Sequence, residues 1–189
     1  MKIKKLETFS NEYLGFVKVT TDNNDIGWGQ VSTYNADITT QIFHRQVAPW
    51  SLGLELDDDK PDFFDHLQLV LEREHKYPGS YLLRALSGLD TALWDLYGKL
   101  KEKPVASLIG GAPKKIRVYG SSMRRDIKPD DESKRLCRLR DDYGFSAFKF
   151  RVGSECGRDI DEWEGRSEEI VKLLSHDLGG DVELSLIHI

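Results

Sequence analysis

Cysteine is scarce in this chain of 189 residues, and neither Cys137 nor Cys156 has a second cysteine or a histidine at metal-ligand spacing. Two isolated thiols predict no disulfide framework, as is typical of a protein kept reduced in the cytoplasm. Long apolar runs are also lacking, since none approaches the ~20 residues that a membrane span requires. No apolar stretch follows the charged residues 1–7, so we expect no signal peptide and no membrane partner.

An excess of positive charge is absent as well. The chain carries 27 Lys and Arg against 32 Asp and Glu, a net charge of −5 with His neutral, which argues against a nucleic-acid partner. Hydrophobic residues make up 39% and charged residues 31% of the sequence, which is enough apolar material for a packed core. The composition therefore predicts a soluble, globular protein with a sizeable core.

Residues 1–112 have the pattern of an α+β domain. Three short β-rich runs, at residues 3–9, 13–20 and 26–34, are separated by polar breaks that suit hairpins, so they predict a three-stranded antiparallel meander. Helical spacing follows. It predicts a short helix that stops near Pro49, another that opens at Pro61, and a long amphipathic helix over residues 80–101.

Residues 113–189 alternate strand and helix patterns instead. The predicted strands are 116–121, 147–152 and 182–187, and the predicted helices are 129–143 and 160–178, closed by Gly144 and by Gly179–Gly180. Strands that alternate with helices at this interval indicate βα units around a parallel sheet.

One segment carries a family resemblance. Residues 85–99, followed by residues 104–111, resemble the signature of the mandelate racemase/muconate lactonizing enzyme family of the enolase superfamily, and Gly27-Trp28-Gly29-Gln30 is similar to the family's Gly-x-Gly-Glu strand ending. The resemblance implies a capping domain of meander plus helical bundle over residues 1–112. Residues 113–189 then form the start of a (β/α) TIM-type barrel, truncated at its third strand. Active sites of such barrels lie at the carboxyl ends of the strands.

Two cations on a predicted barrel strand are the candidate catalytic residues. Lys149 and Arg151 are two residues apart, so their side chains project from the same face of the strand, where an anionic partner such as a carboxylate substrate would compensate them. Their position matches the family's Lys-x-Lys motif, whose second lysine can act as a base. A guanidinium is a poor base, so Arg151 is interpreted as a partner for a carboxylate or enediolate.

The departure at Arg151 favours one family reaction over others. We predict that the parent enzyme dehydrates a sugar acid with a base from elsewhere in the barrel. Racemisation or epimerisation is the alternative, and cycloisomerisation is less favoured. The resemblance also implies a capping loop at residues 9–13 and another at 44–56, where His44, Arg45 and Trp50 are candidate substrate contacts. It further implies that the parent is a homo-oligomer.

The predicted third strand lacks the family's metal ligand. In the family this strand ends in an Asp that binds Mg²⁺, whereas Ile187 follows here, and the final Leu-Ser-Leu-Ile-His-Ile resembles a translated sequencing adapter. We therefore expect Mg²⁺ in the full-length parent, no metal ligand in this chain, and no turnover by this fragment alone. A non-enzymatic binding module, or a subunit that borrows its missing strands, is the alternative from another class.

Overall fold

The computed structural model describes residues 1–155 and 159–187. The chain forms two compact units, Met1–Pro113 and Lys114–Ile189, and each has its own hydrophobic core. Within the described residues, no helix combines the length and the apolar character needed to cross a membrane. Cys137 is a half-buried free thiol, and Cys156 lies outside the described residues.

The first unit pairs a small sheet with helices. Its elements are β1 (Ile3–Ser10), β2 (Gly15–Thr21), β3 (Ile26–Gln30), α1 (Ala36–Ile42), a π-helical turn (Phe43–Val47), α2 (Ala48–Ser51), α3 (Phe64–Arg73), α4 (Ser80–Leu100) and α5 (Val105–Leu108). The strands are antiparallel in the order β1-β2-β3, which confirms the predicted meander. In the first hairpin, Asn11 Oδ1 accepts hydrogen bonds from the backbone N–H groups of Tyr13 and Leu14, each at 2.8 Å.

The long helix α4 forms the centre of this unit, because its apolar stripe packs on the buried face of the sheet. Eight of its leucine, alanine and glycine residues are buried together with Tyr97: Leu82, Ala85, Leu86, Gly88, Leu89, Ala92, Leu93 and Leu96. Leu100 continues the apolar spacing of the stripe, but it is 37% exposed at the end of the helix. The stripe therefore ends one turn earlier than its spacing predicts.

The Gly-x-Gly pair of β3 exists because the strand touches this helix. A Cβ atom on Gly27 would lie 2.1 Å from the carbonyl oxygen of Ala92, and one on Gly29 would lie 2.1 Å from that of Gly88. Both distances are shorter than any real contact, so only glycine permits this approach of backbone to backbone. The pair is therefore a packing motif and not a phosphate-binding loop.

Two charged residues of α4 also complete the open edge of β3. The carboxylate of Asp95 accepts a hydrogen bond from the backbone N–H of Trp28 at 2.7 Å. The Lys99 ammonium donates to the carbonyl oxygen of Ile26 at 3.2 Å and pairs with Asp95 at 2.6 Å. Side chains of the helix thus take the place of a further strand, which leaves fewer edge groups for another chain to pair with.

The helical segment that begins with α1 continues past Pro49, near which the sequence predicts that it stops. Pro49 lies in the first turn of α2, after the π-helical turn, and the helix ends at Ser51. A proline is tolerated there because the first turn of a helix needs no N–H donor. Pro49 therefore marks the restart of the helix rather than its end.

The second unit contains β4 (Gly120–Ser121), α6 (Pro129–Tyr143), β5 (Ala147–Arg151), α7 (Arg166–Leu178) and β6 (Glu183–Ile187). The three strands are parallel in the order β4-β5-β6, which confirms the predicted βα units. The helices pack on one face of the sheet over a core formed by six buried residues: Leu136, Phe148, Phe150, Ile170, Leu174 and Leu178.

Two elements of this unit are shorter than predicted. Only Gly120 and Ser121 of the first predicted strand pair with β5, and residues 116–119 are exposed. Helix α7 begins at Arg166 and not at residue 160, because Gly165 is left-handed with φ 80°. Asp161 accepts hydrogen bonds from the backbone N–H and the hydroxyl of Ser167, so the preceding residues form a capping turn.

Candidate functional site

The alternation of β5 separates apolar from cationic residues. Phe148 and Phe150 are each 1% exposed and lie in the core beneath the helices. Lys149 and Arg151 are half-buried on the opposite face of the sheet. The structure thus places the two candidate catalytic cations side by side, as their spacing predicts.

Lys149 lies above an aromatic ring. Its ammonium nitrogen is 5.3 Å from the centre of the Tyr119 ring, a distance at which the negative face of the ring attracts a cation. In the sheet, Lys149 is in register with Ser121 of β4, so a hydroxyl lies beside it on the same face. The contact with Tyr119 holds the ammonium over the ring without neutralising its charge.

Arg151 has few polar contacts for its side chain. Its Nη2 atom lies 3.7 Å from the sulfur of Met123, and its Nε atom is buried without a hydrogen bond. Within residues 1–155 and 159–187, neither Arg151 nor Lys149 forms an ion pair with a carboxylate. Two neighbouring cations without an acid suit an anionic ligand that brings its own negative charge.

The chain after Arg151 is tied to the start of α7. The backbone N–H of Gly153 donates to the Ser167 hydroxyl at 3.0 Å, and that hydroxyl donates to Asp161 at 2.5 Å. A cavity of about 350 Å³ opens at this carboxyl end of the sheet, lined by Val152, Gly153, Asp159, Ile160, Asp161 and Ser167.

Sequence reasoning missed Asp161, Ser167 and Arg166 at this end of the sheet, because no motif spacing marks them. Arg166 is 0% exposed, and burial lowers the pKa of its guanidinium from the ordinary value. Apolar periodicity cannot predict a fully buried arginine, because arginines mostly lie on protein surfaces.

Magnesium does not fit the residues that the structure describes. Ile187 stands at the end of β6, where the family resemblance implies an acidic ligand, and it offers no oxygen from its side chain. Among residues 1–155 and 159–187, no group of three or more His, Cys, Asp or Glu side chains could hold a metal ion. No chemical step in this chain is therefore assigned to a metal.

The candidate substrate contacts of the first unit do not lie on a loop. His44 falls in the π-helical turn and Trp50 in α2, so the prediction of a loop over residues 44–56 is wrong up to Ser51. The helix continues because its apolar residues Phe43 and Val47 are fully buried in the core. The structure thus places His44, Arg45 and Trp50 on one helical segment.

Two of these three side chains have partners within the first unit. His44 Nε2 lies 2.8 Å from the hydroxyl of Thr8. The indole N–H of Trp50 donates to Glu74 at 2.9 Å, and the guanidinium of Arg73 lies 5.2 Å from the centre of its ring. Arg45 is exposed. The segment therefore presents a held aromatic ring and an exposed cation.

A unit of meander and helices, followed along the chain by parallel βα units with cations on the open face of the sheet, has the elements that the resemblance to the enolase superfamily implies. Residues 4–110 match the model of the mandelate racemase/muconate lactonizing enzyme N-terminal domain. The chain belongs to this family.

Solved structures of similar proteins agree with this assignment. A protein from Roseobacter denitrificans, provisionally named a racemase, is 57% identical with a TM-score of 0.89, and the match covers 98% of this chain and 50% of that one. The 3,6-anhydro-D-galactonate cycloisomerase from Zobellia galactanivorans is 26% identical with a TM-score of 0.77, covering 98% and 50%. A mandelate racemase/muconate lactonizing protein from Paracoccus denitrificans PD1222, complexed with magnesium, is 26% identical with a TM-score of 0.80, covering 98% and 51%.

The chain thus spans about half the length of the solved structures that it matches. The names of these proteins differ in the reaction that they describe. The comparisons therefore establish the family and leave the reaction open.

Proposed function

We propose that this chain is the N-terminal part of a magnesium-dependent enzyme that removes the proton α to the carboxylate of a sugar acid, and that the outcome is dehydration. The observation that carries the proposal is the pair of half-buried cations, Lys149 and Arg151, on one face of β5 without an ion-pair partner in the described residues. Support for a sugar acid comes from the Zobellia relative, which is named for 3,6-anhydro-D-galactonate.

Lys149 and Arg151 bind the carboxylate in this proposal. Negative charge on a carboxylate grows when the α-proton leaves, because the electron pair moves into an enediolate. Fixed cations beside that group stabilise the developing charge more strongly than the starting acid. An ammonium and a guanidinium supply several N–H donors between them, and these donors form charge-assisted hydrogen bonds to the carboxylate oxygens.

Arg151 also determines which reaction follows. Its guanidinium stays protonated at neutral pH and does not accept the α-proton. Because Lys149 binds the carboxylate as an ammonium in this proposal, the base is another group, outside this pair. In dehydration that base takes the α-proton, the electron pair forms a carbon–carbon double bond, and the β-hydroxyl leaves as water after receiving a proton from an acid. The enol product then tautomerises to a 2-keto acid.

In the longer enzyme, a bound Mg²⁺ would supply electrostatic stabilisation of the negative charge that develops on the substrate. Since the described residues do not form its site, we expect the 189-residue chain to bind the acid without turning it over. Arg45 and Trp50, with His44 beside them, are the substrate contacts that we propose for the first unit. The exposed Arg45 provides a charge, and the Trp50 ring, fixed by Glu74, provides an apolar surface for the sugar.

A titration of the purified chain with D-galactonate tests the proposal, with galactitol as the uncharged analogue. We expect saturable binding of D-galactonate alone. The Lys149→Met and Arg151→Met variants should each bind at least about tenfold more weakly, because a hydrogen bond to a charged group contributes about 1.5 kcal/mol. Lys172→Met and Arg138→Met, exposed cations on the helices, are the matched controls. Equal binding of galactitol, or unchanged affinity in both site variants, would contradict the proposal.

Racemisation is the second candidate, because the 57% identical Roseobacter protein is provisionally named a racemase. The two reactions differ in their products when the longer enzyme works in D₂O. Dehydration gives a 2-keto acid and consumes the β-hydroxyl. Racemisation returns the acid with inverted configuration and deuterium at the α-carbon, so finding that product without any keto acid would replace our assignment.

A further inference from the structure

Arg166, the first residue of α7, carries a guanidinium that is 0% exposed. Among the described residues it forms no ion pair with an acid, although the carboxylates of Asp161 and Glu132 favour its charged form from a longer distance. Its Nη2 atom is buried without a hydrogen bond. A buried cation with one unsatisfied group does not favour folding, and an apolar residue of similar size is often as good or better for stability. Arg166 therefore needs an explanation other than stability.

The atoms that Arg166 does contact supply that explanation. Its Nη1 atom donates to the carbonyl oxygen of Arg151 at 3.1 Å, and its Nε atom donates to the carbonyl oxygen of Ile127 at 3.3 Å. Its guanidinium lies 5.2 Å from the centre of the Trp163 ring. One rigid, planar group thus joins the last residue of β5 to the loop that follows β4.

We propose that Arg166 is a positioning residue for Arg151. By fixing the carbonyl of Arg151, it sets the backbone plane from which the Arg151 side chain projects across the sheet. The second hydrogen bond, to Ile127, prevents the strand end from moving against the neighbouring loop. A planar fork with two donors held by an aromatic ring does this better than a flexible lysine. The role deepens the proposed function, on which it rests for its ligand.

The test follows the Nε–H resonance of Arg151 by NMR in the full chain, assigned by its loss in Arg151→Lys. In Arg166→Met we expect the chemical shift and the linewidth of this resonance to change. We also expect the affinity for D-galactonate to fall about tenfold. Arg166→Lys, which keeps a cationic N–H donor group but loses the planar fork, should recover part of both effects. Ser133→Ala removes the partly buried hydrogen bond from the Ser133 hydroxyl on α6 to Asp177 on α7. This control variant should have a lower midpoint of thermal unfolding. Its Arg151 resonance should keep the wild-type position, and its affinity for D-galactonate should stay within about twofold of wild type.

A folded Arg166→Met variant with an unchanged Arg151 resonance would overturn the proposal. If that variant does not fold, Arg166→Lys decides in its place: a resonance and affinity identical to wild type would likewise overturn it. Absence of D-galactonate binding in the wild-type chain would contradict the proposed function instead. The resonance in the ligand-free chain would still decide the positioning role, so the two failures are distinguishable.

Discussion

The two units of the chain use the same kinds of secondary structure for different ends. In the first unit, β3 lies so close to α4 that Gly27 and Gly29 face backbone atoms of the helix, and Asp95 completes the strand edge. In the second unit, one face of the sheet is packed, while the other presents Lys149 and Arg151 without acids among the described residues. The residues of the first unit thus serve packing. The second unit holds two cations without acids, which costs free energy unless an anionic ligand binds them.

The largest effect should follow from breaking the closest contact of the first unit. Gly29→Ala places a Cβ atom 2.1 Å from the carbonyl oxygen of Gly88, which neither backbone can relieve without moving apart. We expect the free energy of unfolding to fall by about 3 kcal/mol, as in severe overpacking. Urea unfolding followed by circular dichroism measures this. Gly180→Ala, where nothing lies within 4 Å of the added atom, is the control, and equal stability of the two variants would refute the packing role.

The edge of β3 should be the next most sensitive point. Asp95→Ala removes the acceptor of the Trp28 N–H, so we expect a loss of about 1 kcal/mol in the free energy of unfolding. The opened edge should also increase association between chains, measured by light scattering. Asp95→Asn retains an oxygen acceptor and should keep most of the stability. A loss as large in Asn as in Ala would show that the charge, not the hydrogen bond, matters.

The second unit should respond in the opposite direction. Arg151→Met replaces a guanidinium whose Nε atom is buried without a hydrogen bond, so the free energy of unfolding should rise by about 0.5 kcal/mol while D-galactonate binding weakens. Thermal unfolding with and without the acid measures both quantities. Arg138→Met on the exposed side of α6 should change neither. A clear loss of stability in Arg151→Met would mean that Arg151 serves folding, as the residues of the first unit do.

The smallest effect should be a pH dependence in the first unit. Burial lowers the pKa of His66 from 6.5, and because the Ser51 hydroxyl donates to Val47, its oxygen accepts from the His66 ring at 2.9 Å. The unfolded chain therefore binds a proton that the folded chain resists, and stability falls as the pH drops below about 6.5. Between pH 7.5 and 5, the free energy of unfolding should depend less steeply on pH in His66→Gln than in the wild-type chain. An unchanged slope would assign the dependence to other groups.

Much of the fold could be predicted from periodicity alone. The bounds of α4 and the antiparallel order of β1 to β3 follow from apolar spacing and polar breaks, and Lys149 and Arg151 share a face because strands repeat every two residues. The features that escaped prediction depend on distant partners. Pro49 looks like a helix end until the π-helical turn before it is known, and residues 116–119 look like a strand although only Gly120 and Ser121 pair with β5. Arg166 looks like a surface cation until its burial is seen.

The most direct test is to watch both cations while the acid is added. In a chain labelled with ¹⁵N in lysine and arginine side chains, titration with D-galactonate should shift the Lys149 ammonium and the Arg151 guanidinium signals together, with one shared dissociation constant, and galactitol should leave both in place. Binding of D-galactonate that moves neither signal would show that the carboxylate is recognised elsewhere, and would contradict the account.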